Sequence, residues 1–463
     1  MLTRFLFAGL TLLILTTARA ETPAVPPHYV LAKDIYRELI ALNTTGKNGS
    51  TAAAVAMQAR LKAAGFTDAE LTLIGPAPVA QNLVVRLKGR GEQKPIIFIG
   101  HLDVVEALAS DWSTDPFQLV EKDGYFYGRG TIDMKDGVTA MVVSLIRMKQ
   151  SGYVPRGDII VALTDHEEDF GDNGAIWLVQ NHRELVDAAY GINPDGGRGE
   201  YRDGKPTVLQ FQTAEKTYVG IDLEVKSPGG HASVPGKNNA IYRLTAALDR
   251  LATFEFPLNL NETTRAYFAR TALLESGQTK ADMLALLREP VDAEAVRRLA
   301  AASPFYNALL RTTCVATQLQ AGHAENALPQ TARATLNARI MPDENPAAVQ
   351  ATLERVLADS EVKVTRFQTF PAGPLSPLDA GVFGKVEQLA EKRWPGVAVV
   401  PTMSTGATDS VHWRMVGIPM YGVSGAFTPV GEHRAHGKDE RLGVKEFYES
   451  LDFMYDLMVE LTR

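Results

Sequence analysis

The sequence predicts an α/β protein whose mostly parallel sheet carries helices on both faces, interrupted by a smaller inserted α+β domain. Two observations support this fold class. Up to about residue 213 strand-like and helix-like segments alternate, and the strand-like runs Pro95–Ile99 and Ile159–Leu163 are continuously apolar, as in strands buried on both faces. Beyond that point Thr217–Val225 and Ala332–Ile340 alternate apolar and polar residues, which is typical of half-buried strands.

The elements predicted for the first part of the larger domain, residues 21–213, follow from apolar spacing. Apolar residues at helical spacing predict helices, and the short apolar runs between them predict strands. In chain order they are the helices Lys33–Leu42 and Ala52–Ala64, the strands Asn82–Leu87 and Pro95–Ile99, the helix Val138–Ser151, the strand Asp158–Leu163 and the helix Gly174–Gln180.

Residues 214–370 are predicted to form the inserted domain, and residues 371–463 to complete the larger one. The inserted elements and the first element after them are Thr217–Val225 (strand), Asn239–Thr253 (helix), Ala332–Ile340 (strand), Pro346–Asp359 (helix), Val362–Phe367 (strand) and Ala380–Arg393 (helix). Residues 254–325 are rich in Ala, Leu and Arg, so an extra, mainly helical stretch is expected there.

The composition excludes several classes of protein. Of 463 residues 45% are hydrophobic and 22% charged, a globular balance that excludes disordered, collagen-like and coiled-coil chains. Cys314 is the single cysteine, so neither an intrachain disulfide nor a four-cysteine zinc site can form. The net charge is -7 and no basic run stands out, so nucleic acid is not an expected partner.

Residues 1–20 have the pattern of a secretory signal peptide. Arg4 supplies a positive start, Phe5–Leu15 is a mostly apolar run, and Ala18–Ala20 is a small-x-small cleavage site that makes Glu21 the expected mature N-terminus. A short membrane anchor is the alternative, although the apolar run is too short to span a bilayer. We therefore expect a periplasmic or secreted protein with no stable membrane association after processing.

Polar residues of the types that bind metals or transfer protons follow the buried strands. They lie in Gly100–Asp103, Gly128–Gly137, Asp165–Asp169, Asn193–Gly197 and His433–Glu440. The ligand site of an open α/β sheet lies at the carboxyl ends of its strands, so we expect these side chains to meet. Buried carboxylates need a neutralising charge, and nitrogen and carboxylate donors without thiolate fit zinc, with cobalt or manganese as alternatives.

These segments resemble the M20 family of metallopeptidases, the group with glutamate carboxypeptidase, aminoacylase, succinyl-diaminopimelate desuccinylase and carnosinase. The motifs that carry the resemblance are Gly-His-Leu-Asp-Val-Val, Gly-Arg-Gly-x-x-Asp-Met-Lys-Asp-Gly, the Glu-Glu pair, Asn-Pro-Asp-Gly-Gly, Ser-Pro-Gly-Gly-His and Ala-His-Gly-x-Asp-Glu. Nearly the whole chain after the leader is covered. The resemblance implies a di-zinc exopeptidase catalytic domain with an inserted lid or dimerisation domain, and a homodimer.

The resemblance also implies a ligand set for two zinc ions. Asp133 should bridge the two ions. His101 and Asp195 should complete one site, and Glu168 and His436 the other.

Four residues close in sequence to these ligands are also expected to act at the site or to compete as ligands. Asp103 is expected to hold the imidazole of His101 through a hydrogen bond. Glu167 is the expected general base, taking a proton from a metal-activated water and passing it to the leaving amine. His166 and His433 are alternative ligands; His436 is preferred because its surroundings match the family's closing motif.

Substrate contacts are implied by the same resemblance. His231 should donate to the tetrahedral oxyanion, often across a dimer. Asn326 and Arg339 match the positions that hold the substrate's amide and carboxylate, and the planar guanidinium of Arg339 can bind both carboxylate oxygens. The loops Gly406–Ser410, which begins with Gly406, and Ser424–Gly425 are expected to line the same pocket, with ordinary turns as the alternative.

These residues predict hydrolysis of the amide bond to a C-terminal amino acid with a free carboxylate. A carboxypeptidase or dipeptidase is the first interpretation and an N-acyl-amino-acid deacylase (aminoacylase) the second, so the expected partner is a small peptide or an N-acyl amino acid. The pattern looks most like the carboxypeptidase S branch and its N-acyl-amino-acid-hydrolase relatives. A non-catalytic binding protein on the same fold would lack a ligand or Glu167. An aminopeptidase would present an acidic group to the substrate, against which Arg339 argues.

Overall fold

A computed structural model describes residues 25–169, 173–369, 373–432 and 434–463. The expected signal peptide and the alternative ligand His433 lie outside these ranges. Within them, no helix has both the length and the apolar character that crossing a membrane requires.

The secondary structure of the described residues is as follows. The strands are β1 (Leu71–Ala77), β2 (Ala80–Leu87), β3 (Ile96–His101), β4 (Val120–Lys122), β5 (Tyr125–Tyr127), β6 (Ile159–Thr164), β7 (Tyr190–Asn193), β8 (Gly199–Arg202), β9 (Lys205–Glu215), β10 (Thr217–Lys226), β11 (Gly230–His231), β12 (Thr313–Ala321), β13 (Ala327–Leu328), β14 (Thr331–Ile340), β15 (Lys363–Thr369), β16 (Ala398–Ser404), β17 (Met420–Gly422), β18 (Phe427–Pro429) and β19 (Arg441–Gly443). The helices are α1 (Pro27–Ala41), α2 (Thr51–Ala63), α3 (Lys135–Ser151), α4 (Gly174–Asn181), α5 (Arg183–Val186), α6 (Ala240–Ala252), α7 (Glu262–Thr271), α8 (Gly277–Ala285), α9 (Ala293–Ala302), α10 (Pro304–Leu310), α11 (Pro346–Leu357), α12 (Ala380–Arg393), α13 (Ser410–Met415) and α14 (Val444–Thr462).

A ten-stranded sheet forms the centre of the larger domain. Its order is β1-β2-β6-β3-β7-β17-β9-β8-β18, and β16 pairs with β9 off this path. The central strands β6, β3, β7 and β17 are parallel, whereas β2 and β9 join them in antiparallel pairs. The predicted α/β fold is thus confirmed, with a sheet that is mixed and parallel at its centre.

The continuously apolar run predicted as a buried strand is β3, and every one of its residues is buried. Successive side chains of a strand point to opposite faces of the sheet. Phe98 accordingly packs into the core that α3 and α14 cover, while Ile97 and Ile99 pack into a second core with α4 and Trp413. The strand needs apolar residues at every position because both faces of the sheet are covered.

The inserted domain is built on a four-stranded antiparallel sheet of order β12-β14-β10-β15. Its alternating strands bury one face, where Ile221 of β10 and Leu336 of β14 pack against Leu244 of α6 and Leu353 of α11. Tyr218 lies opposite Arg339 across the β10–β14 pair. This register sets the two side chains beside each other on the sheet.

The stretch 254–325 is helical only in part. Helices α7 to α10 form a small core in which Phe268 and Leu310 pack against Met403 of β16, so they lie against the larger domain. The expectation of a mainly helical stretch is wrong for 313–321, which form the edge strand β12. Seven of the nine β12 residues are exposed, so apolar alternation could not reveal the strand.

Candidate metal centre

The five predicted ligands meet at the carboxyl edge of the central sheet. His101 is the last residue of β3, Glu168 follows β6 and Asp195 follows β7. Asp133 lies just before α3, and His436 comes from the segment between β18 and β19. Parallel strands end at the same edge, so residues distant in sequence are brought together there.

Two groups of three ligand atoms share Asp133. One group is His101, Asp133 and Asp195, the other is Asp133, Glu168 and His436, and within each group all ligand atoms lie within 4.8 Å. Asp133 Oδ1 lies 3.2 Å from His101 Nε2, and Asp133 Oδ2 lies 3.1 Å from His436 Nε2. Since each oxygen of Asp133 faces one group, its carboxylate is placed as a bridge between two cation sites.

The donor set fits divalent cations. Glu168 Oε1 is buried without a hydrogen-bond partner among the described residues, although Glu168 Oε2 lies 2.9 Å from His436 Nε2. A buried carboxylate oxygen with no donor is costly, and a cation would satisfy it. Imidazole and carboxylate donors without thiolate suit zinc, cobalt or manganese.

The pKa shifts of the ligand side chains also show that positive charge is favoured in the cluster. Burial, followed by the nearby charge of Asp133, raises the pKa of Asp195 to about 7. Hydrogen bonds to Asp133 and Glu168 raise the pKa of His436 to about 10. Burial acts to raise the pKa of Asp133, but the hydrogen bonds from His101 and His436 outweigh it and the net shift is downward.

Glu440, which the sequence-based reasoning left without a role, fixes the loop that carries Asp133. Its buried carboxylate accepts hydrogen bonds from the backbone N–H groups of Gly130 (3.1 Å), Ile132 (2.8 Å) and Asp133 (3.2 Å), and from Arg129 Nη1 (2.6 Å). Burial raises the pKa of Glu440 to about 7. The two motifs that contain Asp133 and Glu440 are therefore partners in space.

Asp103 holds His101 through its main chain. His101 Nδ1 lies 3.0 Å from the backbone carbonyl oxygen of Asp103, whereas the nearest carboxylate oxygen is 3.7 Å away, beyond hydrogen-bond distance. The carboxylate instead accepts the backbone N–H groups of Glu167 (3.1 Å) and Glu168 (2.9 Å). The expected hydrogen bond between Asp103 and His101 is therefore present and is made by the main chain of Asp103, while the side chain holds the Glu-Glu pair.

A cavity of about 200 Å³ opens beside the second group of ligands; we call it the arginine cavity. It contains three residues predicted for the site, Glu167, Arg339 and Gly406, beside the ligand Glu168. Burial, with the carboxylates around it, raises the pKa of Glu167 well above its usual range. Ala407, Thr408 and Asp409 of the predicted loop Gly406–Ser410 line it as well, and the lining residues that were not anticipated are Asn173, Tyr218, Val411 and His412.

Arg339 supplies positive charge to the arginine cavity. Its guanidinium lies 5.0 Å from the centre of the Tyr218 ring. No carboxylate of the described residues pairs with it, and burial lowers its pKa from the usual value. An arginine is still charged after such a shift, because its ordinary pKa is above 12. The cavity therefore presents an unneutralised cation beside the predicted base and ligands.

Comparison with known proteins decides the family. The sequence profile described as peptidase family M20/M25/M40 matches residues 97–460. The chain belongs to this family. As a member of the M20 family it is a metal-dependent hydrolase, which confirms the resemblance.

Relatives of this M20 enzyme include a probable carboxypeptidase S-like 2 from Dictyostelium discoideum, 30% identical over 401 residues that cover 81% of this chain and 74% of the relative. The human N-fatty-acyl-amino acid synthase/hydrolase PM20D1 is 27% identical, and the match covers 79% of this chain and 74% of the relative. Among solved structures, an M20 family metallo-carboxypeptidase from Sulfolobus solfataricus has a TM-score of 0.70 at 16% identity, covering 93% and 99%. The protein YXEP of Bacillus subtilis, a dinuclear metal-binding M20 peptidase, has a TM-score of 0.58 at 14% identity, covering 94% and 98%.

His231 and Asn326 lie together in the M20 enzyme, and neither belongs to the two ligand groups. β11 pairs with β13, and Ala232 N–H donates to the carbonyl oxygen of Asn326 at 3.0 Å. Both residues are exposed and line neither the arginine cavity nor the second cavity described below. His231 Nδ1 accepts the Ser233 N–H, so in the neutral ring Nε2 carries the proton and is a donor.

Three further residues that the sequence predicted near the site, His166, Ser424 and Gly425, neither belong to a ligand group nor line either cavity. His166 belongs to neither ligand group, and its Nδ1 faces Asp165 Oδ2 at 3.1 Å. Ser424 is buried, its Oγ accepting the N–H of Ala426, and Gly425 has a φ of +74° with the Phe453 ring only 2.4 Å from where a Cβ would lie. The ordinary-turn alternative therefore fits Ser424 and Gly425, which line neither cavity.

Proposed function

We propose that this M20 enzyme hydrolyses the amide bond between an acyl group and a C-terminal amino acid that has a free carboxylate. The supporting observation is Arg339, an unpaired guanidinium in the same cavity as Glu167 and Glu168. A bidentate hydrogen-bonded pair with Arg339 would orient the substrate's carboxylate. The amino-acid side of the scissile bond would then lie in the arginine cavity.

The chemistry follows from the residues around that bond. Two divalent cations, when bound by His101, Asp133, Asp195, Glu168 and His436, polarise the amide carbonyl and increase the acidity of water. Glu167 accepts one proton from the attacking water and delivers it to the amide nitrogen as the C–N bond breaks. The water oxygen becomes part of the acyl product's carboxylate, and the amino acid leaves with its amine restored.

The position of Glu167 supports its role as the base. Its backbone N–H is held by Asp103, whose main chain also holds His101, so one residue sets the base relative to a ligand. Because Glu168 is the next residue, its place in the second ligand group keeps Glu167 at the edge of the ligand cluster. Preorganised groups of this kind lower the barrier without reorganisation during the reaction.

The acyl side can be a peptidyl or a fatty-acyl group. One relative is named as a carboxypeptidase S-like protein and others as N-fatty-acyl-amino acid synthase/hydrolase, which supports both candidates. A panel of dipeptides, N-acetyl amino acids and long-chain N-acyl amino acids, assayed with added zinc, separates them. Equal cleavage of substrates whose C-terminal carboxylate is blocked as an amide would contradict the role of Arg339.

The proposal includes a homodimer in which His231 acts on the partner's substrate. Its exposure, its available Nε2 donor and its absence from the linings of both cavities of its own chain support this. The free edge of β12, with exposed Val315 and Leu319, offers a surface for a second copy. Mixing His231→Ala protein with Glu167→Ala protein should restore activity; exchanged heterodimers without activity would contradict it.

Export is also part of the proposal and rests on the leader pattern of residues 1–20. The expected mature chain begins at Glu21. Intact-mass measurement on protein recovered from the periplasm or medium tests this, and a full-length mass would contradict cleavage.

A further inference from the structure

A second cavity, of about 330 Å³, adjoins the first group of ligands. We call it the acyl cavity. Asp195 is part of its lining, and it shares no lining residue with the arginine cavity. The two substituents of a trans amide point away from each other. If the amino acid occupies the arginine cavity, the acyl group extends past Asp195 into this second space.

The helical segment α7–α10 supplies one wall of the acyl cavity through Phe305, near the start of α10. The Phe305 side chain is 40% exposed, although its ring lies 6.0 Å from that of Tyr267 and 6.5 Å from that of Tyr306. Ile132 and Met403 also line the cavity but are almost fully buried, so Phe305 is the large apolar side chain that a ligand there can reach among the described residues. The lining is otherwise largely polar and includes the charged residues Arg198, Glu200, Glu432 and Arg434. Neighbouring rings thus cover part of Phe305, and its exposed part is left for a ligand.

We propose that Phe305 is a specificity-determining residue, whose ring packs against the apolar end of the substrate's acyl group. The inference rests on the proposed function. A cavity of this volume lies within the range typical of small-molecule sites, and an acetyl group would fill little of it. The apolar end can belong to an N-acyl chain or to the side chain of an N-terminal apolar residue, which present the same surface.

The experiment compares acyl groups on one released amino acid. The kcat/KM values of the zinc-loaded enzyme are measured for N-octanoyl, N-acetyl, norleucyl and glycyl derivatives. In Phe305→Ala the octanoyl-to-acetyl ratio should fall about five- to tenfold, the scale of one aromatic contact, mainly through KM. If the norleucyl-to-glycyl ratio also falls, Phe305 contacts peptide substrates as well. If that ratio is unchanged, Phe305 contacts only N-acyl chains. Both outcomes support the role of Phe305.

Leu273→Ala is the matched control, because Leu273 is an exposed apolar residue just after α7 that does not line the cavity. Its selectivity ratios should equal those of the wild type, and far-ultraviolet circular dichroism should show that both variants fold. Unchanged ratios in Phe305→Ala, or equal changes in both variants, would overturn the inference.

Binding to the Glu167→Gln protein, measured by calorimetry, separates this inference from the proposed function. In this protein the N-octanoyl amino acid should bind more tightly than the N-acetyl amino acid. Adding Phe305→Ala to Glu167→Gln should reduce the difference in affinity. Preferential octanoyl binding without any wild-type hydrolysis would leave Phe305 in its role and overturn the proposed function. Equal binding of the two compounds would overturn the role of Phe305.

Discussion

Replacing Glu440 with Gln tests whether a residue about three hundred positions away in sequence holds Asp133 in place. The carboxylate has two oxygens that each accept two hydrogen bonds: Oε1 from Ile132 and Asp133, Oε2 from Gly130 and Arg129. A Gln side chain keeps one acceptor oxygen and turns an NH₂ group toward the other pair of donors. Two donors therefore lose their acceptor whichever way the amide is oriented.

The magnitude follows from these contacts. Breaking a buried charge pair costs about 3–5 kcal/mol, and here Arg129 loses its carboxylate partner. Arg129 Nη2 also donates to the carbonyl oxygen of His436 at 3.4 Å, so a displaced Arg129 disturbs a second predicted ligand. Loss of groups that orient metal ligands typically reduces affinity about 10- to 100-fold. We expect both effects in Glu440→Gln.

The assay is zinc titration against a competing chelator, with thermal unfolding of the metal-free protein measured separately. Asp158→Asn is a suitable control, since the Asp158 carboxylate also accepts from a backbone N–H and an arginine but precedes β6, at the opposite end of that strand from Glu168. The control should lose stability and keep zinc affinity. Wild-type zinc affinity in a folded Glu440→Gln protein would refute the reasoning.

Three other predictions concern catalysis, substrate binding and pH. Glu167→Gln should keep zinc and fold but reduce kcat by about 10²–10⁴-fold, as expected for a lost general base; near-normal turnover would remove Glu167 from that role. Arg339→Met should lower kcat/KM by about 10²-fold for substrates with a free carboxylate and much less for their C-terminal amides; an equal loss for both would contradict carboxylate binding. Burial lowers the pKa of Lys216 to about 7 from 10.5. The unfolded state therefore binds more protons between these values, so the free energy of unfolding should rise from pH 7 toward pH 10, by about 1 kcal/mol per pH unit from this group. Lys216→Met should remove that slope in pH-dependent denaturation, and identical slopes in both proteins would contradict it.

Strands of both domains were predictable where their signals are local. A strand covered on both faces must be apolar throughout, as β3 is, and a strand covered on one face must alternate, as β14 does. β12 carries neither signal, because most of its side chains face solvent. Its identity as a strand comes from pairing with β14, which no local pattern shows.

By itself the sequence determined the fold class, the family motifs and the set of residues that reach the carboxyl edge of the sheet. Only the tertiary structure decided which atoms of those residues act. The carbonyl of Asp103, rather than its carboxylate, meets His101, and Glu440 reaches back to the loop of Asp133. The sequence places a residue at the end of a predicted strand, and parallel strands bring these ends to the same edge of the sheet. The direction of its side chain depends on segments packed against it from elsewhere in the fold.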